Sequence, residues 1–504
     1  MTVLHYLEKT VQKFPDKTAI QDQNGSISFA ELREKAISLA GYIADKLLNK
    51  TRLPILVYLP KSKESIIAFM GILYSGNIYT PTNVRFPFPK VQGIIDVLSP
   101  ALYISDKKHA QQLFDNGIPS ENVLILENTV SSPFDFDINQ NLFKMIDTDP
   151  VDILFTSGST GKPKGVTICH RSIIDYIEWA AECFDILENE VIGNQAPFYF
   201  DNSMLDIYLC LKTGAQMNII PENIFAFPAR LVEYLEEMNI NFIFWVPSVI
   251  CHIANLDALK DSKPSNLRKI LFAGEVMPNK QLNYWRSHLP DAIYANLYGP
   301  TEITVDCTYY IVDREFDDDE PLPIGGICEN TDVLLLDEKN NLITEAGIQG
   351  ELCVRGSSLA HGYWNDPEKT AAAFCQNPLN PHYPEPIYRT GDLAHYNDLG
   401  EIMFDGRKDF QIKHLGNRIE LGEIEAAAAS LDNVKVVSSD YDTVKQEIVL
   451  FYLGDLEKKQ LQISLLEQLP KYMVPTRYIK LDEFPYNDNS KIDRIKLRKE
   501  YIEV

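Results

Sequence analysis

The chain has 504 residues, 45% of them hydrophobic and 11% aromatic, and carries a formal net charge of −24 at pH 7. That length exceeds one ordinary hydrophobic core, so two or more domains are expected, and the apolar and aromatic content excludes a disordered chain. The acidic balance argues against a non-specific nucleic-acid binder, which needs a basic face. The eight cysteines form no C-x-x-C pair, which leaves neither a zinc ribbon nor a redox motif. They are scattered through apolar stretches, as reduced thiols of a cytoplasmic protein would be.

In chain order, "MTVLHYLEKTVQKFPDKTAI" lacks the basic-then-apolar order of a signal peptide and reads as an amphipathic helix. "LPILVYLP" (53–60) is a short apolar run and predicts a buried strand. "SKESIIAFMGILYSG" (62–76) comes next, with helical spacing and a glycine near its end. "ALYISD" and "NVLILEN" read as the next strands. "LVEYLEEMNI" then "NFIFWVPS" repeats helix and strand, and "LRKILFAGE" adds another strand. This alternation predicts an α/β class with mostly parallel sheets. No apolar run is long enough to span a membrane, so no membrane insertion is expected.

After about residue 310 the texture changes. "TDVLLLDEKNNLI", "GELCVRG" and "GEIMFDG" are strands broken by glycine and asparagine turns, which predicts a β-rich, antiparallel subdomain. The polar, turn-like "DGRKD" marks a joint near 407–410, and the rest of the chain is an α+β tail the size of a small domain.

"FTSGSTGKPKGV" (155–166) overlaps the end of the apolar run "VDILF", so it leaves a strand. Its glycines let the backbone turn N–H groups inward, its hydroxyls add donors, and its lysines add positive charge, a combination suited to polyphosphate. It is not a Walker A loop, because Lys162 is followed by Pro163 where that motif needs Ser or Thr. A mobile surface loop has the same composition, and composition alone leaves both readings open.

Four further stretches, "NLYGPTE" (296–302), "YRTGDL" (388–393), "GRKDFQIKHLGNRIELGEIE" (406–425) and "NSKIDR" (489–494), come in that order. With the loop, they make the chain resemble the adenylate-forming superfamily, which includes acyl-CoA synthetases and the adenylation domains of nonribosomal peptide synthetases. The resemblance runs from "ISFAEL" (27–32) to Lys491. It implies a large N-terminal domain (1–406) of mostly parallel sheets with helices plus the β-rich subdomain, a hinge (407–409), and a small mobile α+β domain (410–504). It also implies a reaction that joins a carboxylate to the α-phosphate of ATP and releases pyrophosphate. Both reactants are anions, so such a reaction needs charge neutralisation and in-line positioning.

Carried over residue by residue, the resemblance implies that Thr156, Ser157, Gly158, Ser159, Thr160, Gly161, Lys162 and Lys164 wrap the phosphates of ATP. Glu302 would hold Mg²⁺, with hydroxyl help from Thr301 or Thr156, because a hard cation takes oxygen ligands. Tyr298 would stack on adenine with Asn296 at its edge, inside a nucleotide site that includes Gly274 and Gly299. Asp392 would accept the ribose hydroxyls and Arg407 would lie near the ribose. Lys491 would touch both anions in the transition state; Ser490 stands before it where the family usually has glycine. Asp409 matches the hinge about which the small domain turns after adenylation. Arg418 would then meet phosphate, and Gly416 would leave room for the phosphopantetheine arm of a carrier protein, whose thiol attacks the adenylate.

"NQAPFYFDNSMLDIYLCLKTGA" (194–215) bears on the substrate. Asp201 matches the aspartate that amino-acid-activating members pair with the substrate ammonium; the bare "DNS" is equally able to cap a helix. The phrase resembles the D-alanine–carrier-protein ligase branch, which usually has cysteine where this chain has Ala273. Asp201, Asn202, Leu205, Phe244, Leu271, Ala273, Leu297, Val305 and Asp306 map onto the amino-acid pocket of peptide synthetases. Bulky Leu205, Phe244 and Leu297 imply a shallow pocket, and polar Asn202 and Asp306 an end that satisfies a hydroxyl or amine. The expected substrate is a small amino acid, alanine- or serine-like, D or L, passed to an acyl or peptidyl carrier protein. An acyl-CoA or aryl-acid ligase, and an inactive nucleotide-binding scaffold, are the competing readings.

Overall fold

The computed structural model describes residues 1–131, 134, 136–157, 162–260, 262–408, 411–486 and 492–503. The chain forms two compact units. The first comprises Met1–Val84, Leu98–Leu154 and Gly165–Gly406; the second comprises Arg85–Val97, Phe155–Lys164 and Arg407–Val504. The segments Arg85–Val97 and Phe155–Lys164, which the sequence reading leaves inside the large domain, therefore group with the C-terminal residues.

The first unit holds two large sheets. In the six-stranded sheet the order is Val123–Ile125, Leu102–Ser105, Pro54–Tyr58, Ile78–Thr82, Pro150–Thr156 and Lys164–Cys169. Strand Pro54–Tyr58 is buried along its whole length and lies parallel to both neighbours, which is why it reads as an unbroken apolar run. In the nine-stranded sheet, the strands Ile293–Tyr298, Lys269–Phe272, Phe242–Trp245, Val191–Asn194, Gln216–Ile219 and Thr18–Asp22 run parallel side by side. Antiparallel strands Thr308–Ile311 and Gly326–Ile327 extend one edge and Gly25–Ser28 the other. A third sheet, of Thr331–Leu336, Gly350–Gly356, Pro386–Tyr396, Phe374–Gln376 and Ile402–Arg407, is the antiparallel β-rich region expected after residue 310.

Helix Asn202–Thr213 is buried from Asn202 to Leu211, with polar Asn202, Ser203 and Asp206 among its buried residues. It stops at Gly214, whose φ of +82° belongs to glycine, and a Cβ there would sit 2.7 Å from the Phe14 ring. The N-terminal amphipathic helix is present as Leu4–Lys13, with Leu4, Tyr6 and Leu7 buried. One strand is shorter than the sequence predicts. "NVLILEN" is extended only over Val123–Ile125, and a helix starts at Leu126. That helix is tied to Phe29–Lys46, where the Ser38 hydroxyl donates to the Thr129 carbonyl at 2.8 Å. Tertiary packing here overrides the local β-preference.

The second unit is α+β. Hairpin Gln411–His414/Asn417–Glu420 precedes helix Leu421–Ala429, and Val434–Asp442, Glu447–Gly454 and Arg477–Lys480 form a three-stranded sheet. The hairpin turns through Leu415 and Gly416, both at positive φ (+50° and +73°), the signature of a tight two-residue β-turn.

Candidate active site

Two parts of the first unit carry most of the residues singled out from the sequence. Leu205, Phe244, Leu271, Ala273, Leu297 and Val305, drawn from separate stretches of chain, belong to one continuous apolar cluster. They meet because neighbouring parallel strands put Phe244 opposite Leu271 and Leu271 opposite Ala295, while helix Asn202–Thr213 supplies Leu205. Two acidic residues belong to the same neighbourhood. Asp201 precedes the helix, is 8% exposed, and its Oδ1 accepts the Asn202 N–H at 3.0 Å. Asp306 is buried, and its Oδ2 accepts the Tyr176 hydroxyl at 2.6 Å. The Asn202 Nδ2 is buried with no hydrogen-bond partner among the described residues, a polar atom that costs free energy until something meets it.

The turn after strand Ile293–Tyr298 brings the "YGPTE" residues together. Gly299 is required by close approach, since a Cβ there would lie 2.3 Å from the Val305 carbonyl oxygen and 2.5 Å from the Asp306 Cα. The chain doubles back through Thr304 and Val305, both left-handed at φ +62° and +73°. For β-branched residues such angles are strained, and strain of this kind, about 1–3 kcal/mol per residue, is held in place by its surroundings. One restraint is the Thr304 hydroxyl, which donates to the Ser358 carbonyl at 2.8 Å. Glu302 is 0% exposed in a short 3-10 turn (Thr301–Ile303), and its Oε1 accepts the Tyr363 hydroxyl at 2.9 Å. Tyr298 is buried, donates its hydroxyl to Asp392 Oδ2, and its ring centre lies 6.0 Å from that of Phe404. Asn296 Nδ2 donates to the Pro323 carbonyl at 2.8 Å. Asp392 receives a second restraint from its own N–H, which donates to the Thr390 hydroxyl at 2.9 Å. Gly274 adopts φ +93°, which a side chain would strain.

In the second unit, the residues flanking the glycine-rich loop are bonded to the hairpin. Ser157 Oγ donates to the Arg418 carbonyl at 2.8 Å and accepts the Glu420 N–H at 3.1 Å. Lys164 Nζ lies 3.4 Å from Glu420 Oε1, which also accepts Gln411 Nε2 at 2.7 Å. The Arg418 guanidinium donates to Gln411 Oε1 at 2.7 Å. Thr156 Oγ1 is buried and has no hydrogen-bond partner among the described residues, and Lys162 is exposed. Arg407 ends the strand Ile402–Arg407 and is half-buried. Gly158, Ser159, Thr160, Gly161, Asp409 and Lys491 lie outside the described residues.

Burial sets the ionisation of several groups near helix Asn202–Thr213. Asp206 is pushed up to about 7 by burial, against the pull of its Asn194 hydrogen bond. Loss of solvent brings Lys61 down to about 8. Burial also holds Asp152 well above the usual carboxylate range; neighbouring Tyr79 opposes the rise and the Asp201 charge adds to it. Among the described residues no group of three or more His, Cys, Asp or Glu side chains is arranged to hold a metal ion. A cation beside Glu302 would take its remaining ligands from phosphate oxygens and water, as magnesium does.

Tyr363, Tyr176 and Lys61 were not singled out from the sequence. Tyr363 and Tyr176 are half-buried and buried aromatics in mixed segments, and their value lies in a carboxylate 61 and 130 residues away respectively. No local signal marks such a pairing.

Comparison with known proteins bears on the family. The family description "AMP-binding enzyme" matches residues 7–364. Zwittermicin A synthase ZmaJ of Bacillus cereus is 31% identical over 97% of this chain and 93% of its own. D-alanine--D-alanyl carrier protein ligase of Bacillus anthracis is 32% identical over 99% of both. Tyrocidine synthase 1 of Brevibacillus parabrevis is 32% identical over 97% of this chain, which spans 44% of that longer protein. Among solved structures, IdnL1 superposes with a TM-score of 0.80 at 28% identity, covering 96% of this chain and 99% of the other. An NRPS protein containing adenylation and PCP domains shares the fold, with a TM-score of 0.83 at 23% identity over 99% of this chain and 84% of its own. Among the described residues no helix is long and apolar enough to cross a membrane. A buried carboxylate on a strained turn, a second one at the head of a buried helix, and a match spanning most of the chain converge: the protein belongs to the AMP-binding enzyme family and is an adenylate-forming ligase.

Proposed function

We propose that the protein activates a small amino acid, alanine- or serine-like and of either chirality, as aminoacyl-AMP and then transfers it to the phosphopantetheine thiol of a carrier protein. The observation that carries this reading is Asp201, a nearly buried carboxylate at the head of the helix that supplies Leu205 to the large apolar core, which also holds Phe244, Leu271, Ala273, Leu297 and Val305. A cation is a favourable partner for a buried carboxylate, and the ammonium of an amino acid is one. Leu205, Phe244 and Leu297 fill the cluster with bulk, which favours a short side chain. Asn202 Nδ2, buried and unmet, suits a substrate hydroxyl.

Magnesium fits the residues present. Glu302 is a fully buried carboxylate whose Oε1 accepts the Tyr363 hydroxyl. It would hold the cation, with hydroxyl help from neighbouring Thr301, and the cation would neutralise the polyphosphate. Tyr298, Asn296 and Asp392 would hold the nucleoside, and Lys491 would bridge the reacting anions. The hinge at 407–409 and the thiolation role of Gly416 and Arg418 are part of the same proposal. The likeness to D-alanine--D-alanyl carrier protein ligase, 32% identical over 99% of this chain, supports a carrier protein as the acceptor.

Pyrophosphate exchange into ATP, with D- and L-amino acids offered one at a time, tests the reading. Strong exchange with alanine or serine is expected; strong exchange confined to fatty or aryl acids rejects it. A second reading, an acyl-CoA or aryl-acid ligase, is favoured by the Asp201 hydrogen bond to Asn202, which a helix-capping role alone explains. Under that reading Asp201→Ala keeps its activity.

A further inference from the structure

The loop that leads to Asp201 is held from the opposite sheet. It starts at Asn194, the last residue of a central strand of the nine-stranded sheet. Lys61 comes shortly after the buried strand Pro54–Tyr58 of the other large sheet, just before helix Lys63–Tyr74. Its ammonium donates to the carbonyls of Asn194 at 3.2 Å and Gln195 at 2.8 Å, and lies 6.0 Å from the centre of the Phe198 ring. Asn194 is itself gripped from the helix side, where its Nδ2 donates to Asp206 Oδ2 at 2.7 Å. Asp206 is fully buried and sits one turn into the helix that Asp201 opens. The negative groups facing Lys61 are Glu222 and Asp206. Lys61 also lines a chamber beneath the loop together with Ser65, Phe69, Thr82 and Phe198.

Burying a lysine and an aspartate this way gives little stability, because well-packed apolar residues of similar volume do as well or better. What the arrangement does provide is direction. An ammonium shared by two successive carbonyls fixes the departure of the loop. Gln195 Oε1 in the loop and Asn202 Nδ2 on the first residue of the helix it leads to are both buried with no hydrogen-bond partner among the described residues. A loop that presents such atoms must be held still, since small displacements at a binding site are expensive.

We propose that Lys61 is a positioning residue for amino-acid recognition, fixing the Asn194–Asp201 loop through the Asn194 and Gln195 carbonyls so that Asp201 meets the substrate ammonium. The proposal rests on the reading of Asp201 as the partner of that ammonium.

The test is pyrophosphate exchange with the full chain carrying Lys61→Met, Lys61→Arg or Asp201→Asn. Lys61→Met is expected to raise the KM for the amino acid about tenfold or more, as loss of a charged hydrogen-bond donor does, while the KM for ATP and the rate at saturating amino acid stay within about threefold. Lys61→Arg, which keeps charge and donors, is expected to restore the amino-acid KM to within about threefold. Equal changes in both KM values, no change in either, or failure of arginine to rescue would overturn the positioning role. If Lys61→Met does not fold, Lys61→Gln reads the same split with a polar end left in the chamber. Asp201→Asn separates the two ideas. If it raises the amino-acid KM and Lys61→Met does not, Lys61 alone is misassigned; if it leaves that KM unaltered, the Asp201 reading falls and this proposal with it.

Discussion

Tyr363→Phe removes one oxygen atom and should weaken magnesium use. The hydroxyl donates to Glu302 Oε1 at 2.9 Å, and Glu302 is 0% exposed, so water cannot replace the lost donor. The ring itself should stay in place. Tyr363 N–H donates to the Thr370 hydroxyl at 2.9 Å, its backbone bridges Val166, and the ring meets Phe374 edge-on with centres 5.9 Å apart. The substitution is thus close to a clean deletion of one hydrogen bond to a charged acceptor, worth about 1.5–3 kcal/mol. At about 1.4 kcal/mol per decade, that corresponds to a factor of roughly 10 to 150. Loss of an outer partner of a metal-binding carboxylate gives a similar range, about 10- to 100-fold in metal affinity. The assay is pyrophosphate exchange titrated with magnesium at saturating ATP and amino acid. The half-saturating magnesium concentration should rise about tenfold or more, with the amino-acid KM unmoved. A magnesium dependence within about twofold of the parent would refute the assignment of Glu302 as the metal-holding carboxylate.

Gly299→Ala forces a Cβ to within 2.3 Å of the Val305 carbonyl oxygen, where backbone must yield. Overpacking should cost about 1–3 kcal/mol, and the displaced turn should lower exchange about 100-fold, both readable from urea midpoints and initial rates. Leu205→Ala deletes a fully buried side chain of the proposed pocket, destabilises by about 2–5 kcal/mol, and should improve the relative kcat/KM for larger amino acids about tenfold in the exchange panel. His170 makes stability fall in mild acid. Burial holds its imidazole down at about 3. Its Nδ1 accepts the Val3 N–H at 3.3 Å, which requires that nitrogen to be unprotonated. The folded pKa lies below the unfolded one, so the unfolded chain takes the proton first and stability is lost as pH drops from about 6.5 towards 3. Between about pH 6.5 and 5 the loss is roughly 1.5–2 kcal/mol, and His170→Asn should flatten the urea midpoint over that interval. An unchanged slope would show that other groups govern it.

Much of the site is legible along the chain because its residues act in short runs. Gly299 and Glu302 both lie within "YGPTE", and the turn that joins them is a local matter of glycine and close approach. Leu205, Asn202 and Asp201 likewise share one helix start. Apolar runs such as "PILVY" reveal buried strands because a parallel strand covered on both faces has no polar side to show. "NVLILEN" misleads for the opposite reason. Nothing in that short run announces that Ser38, 91 positions before Thr129, will tie that residue's carbonyl to a helix.

The amino-acid sequence by itself determined the class of fold, the family, and the identity of the acidic and glycine-rich stretches, since each depends on residues adjacent in the chain and on their periodicity. Tertiary structure alone decided which polar atoms those residues face: Tyr363 on Glu302, Tyr176 on Asp306, Lys61 on the carbonyls before Asp201. Hydrogen bonds between residues 61 to 134 positions apart depend on the order and register in which strands lie in their sheets. That order is set by the burial of the whole core, so no neighbour in the chain can report it.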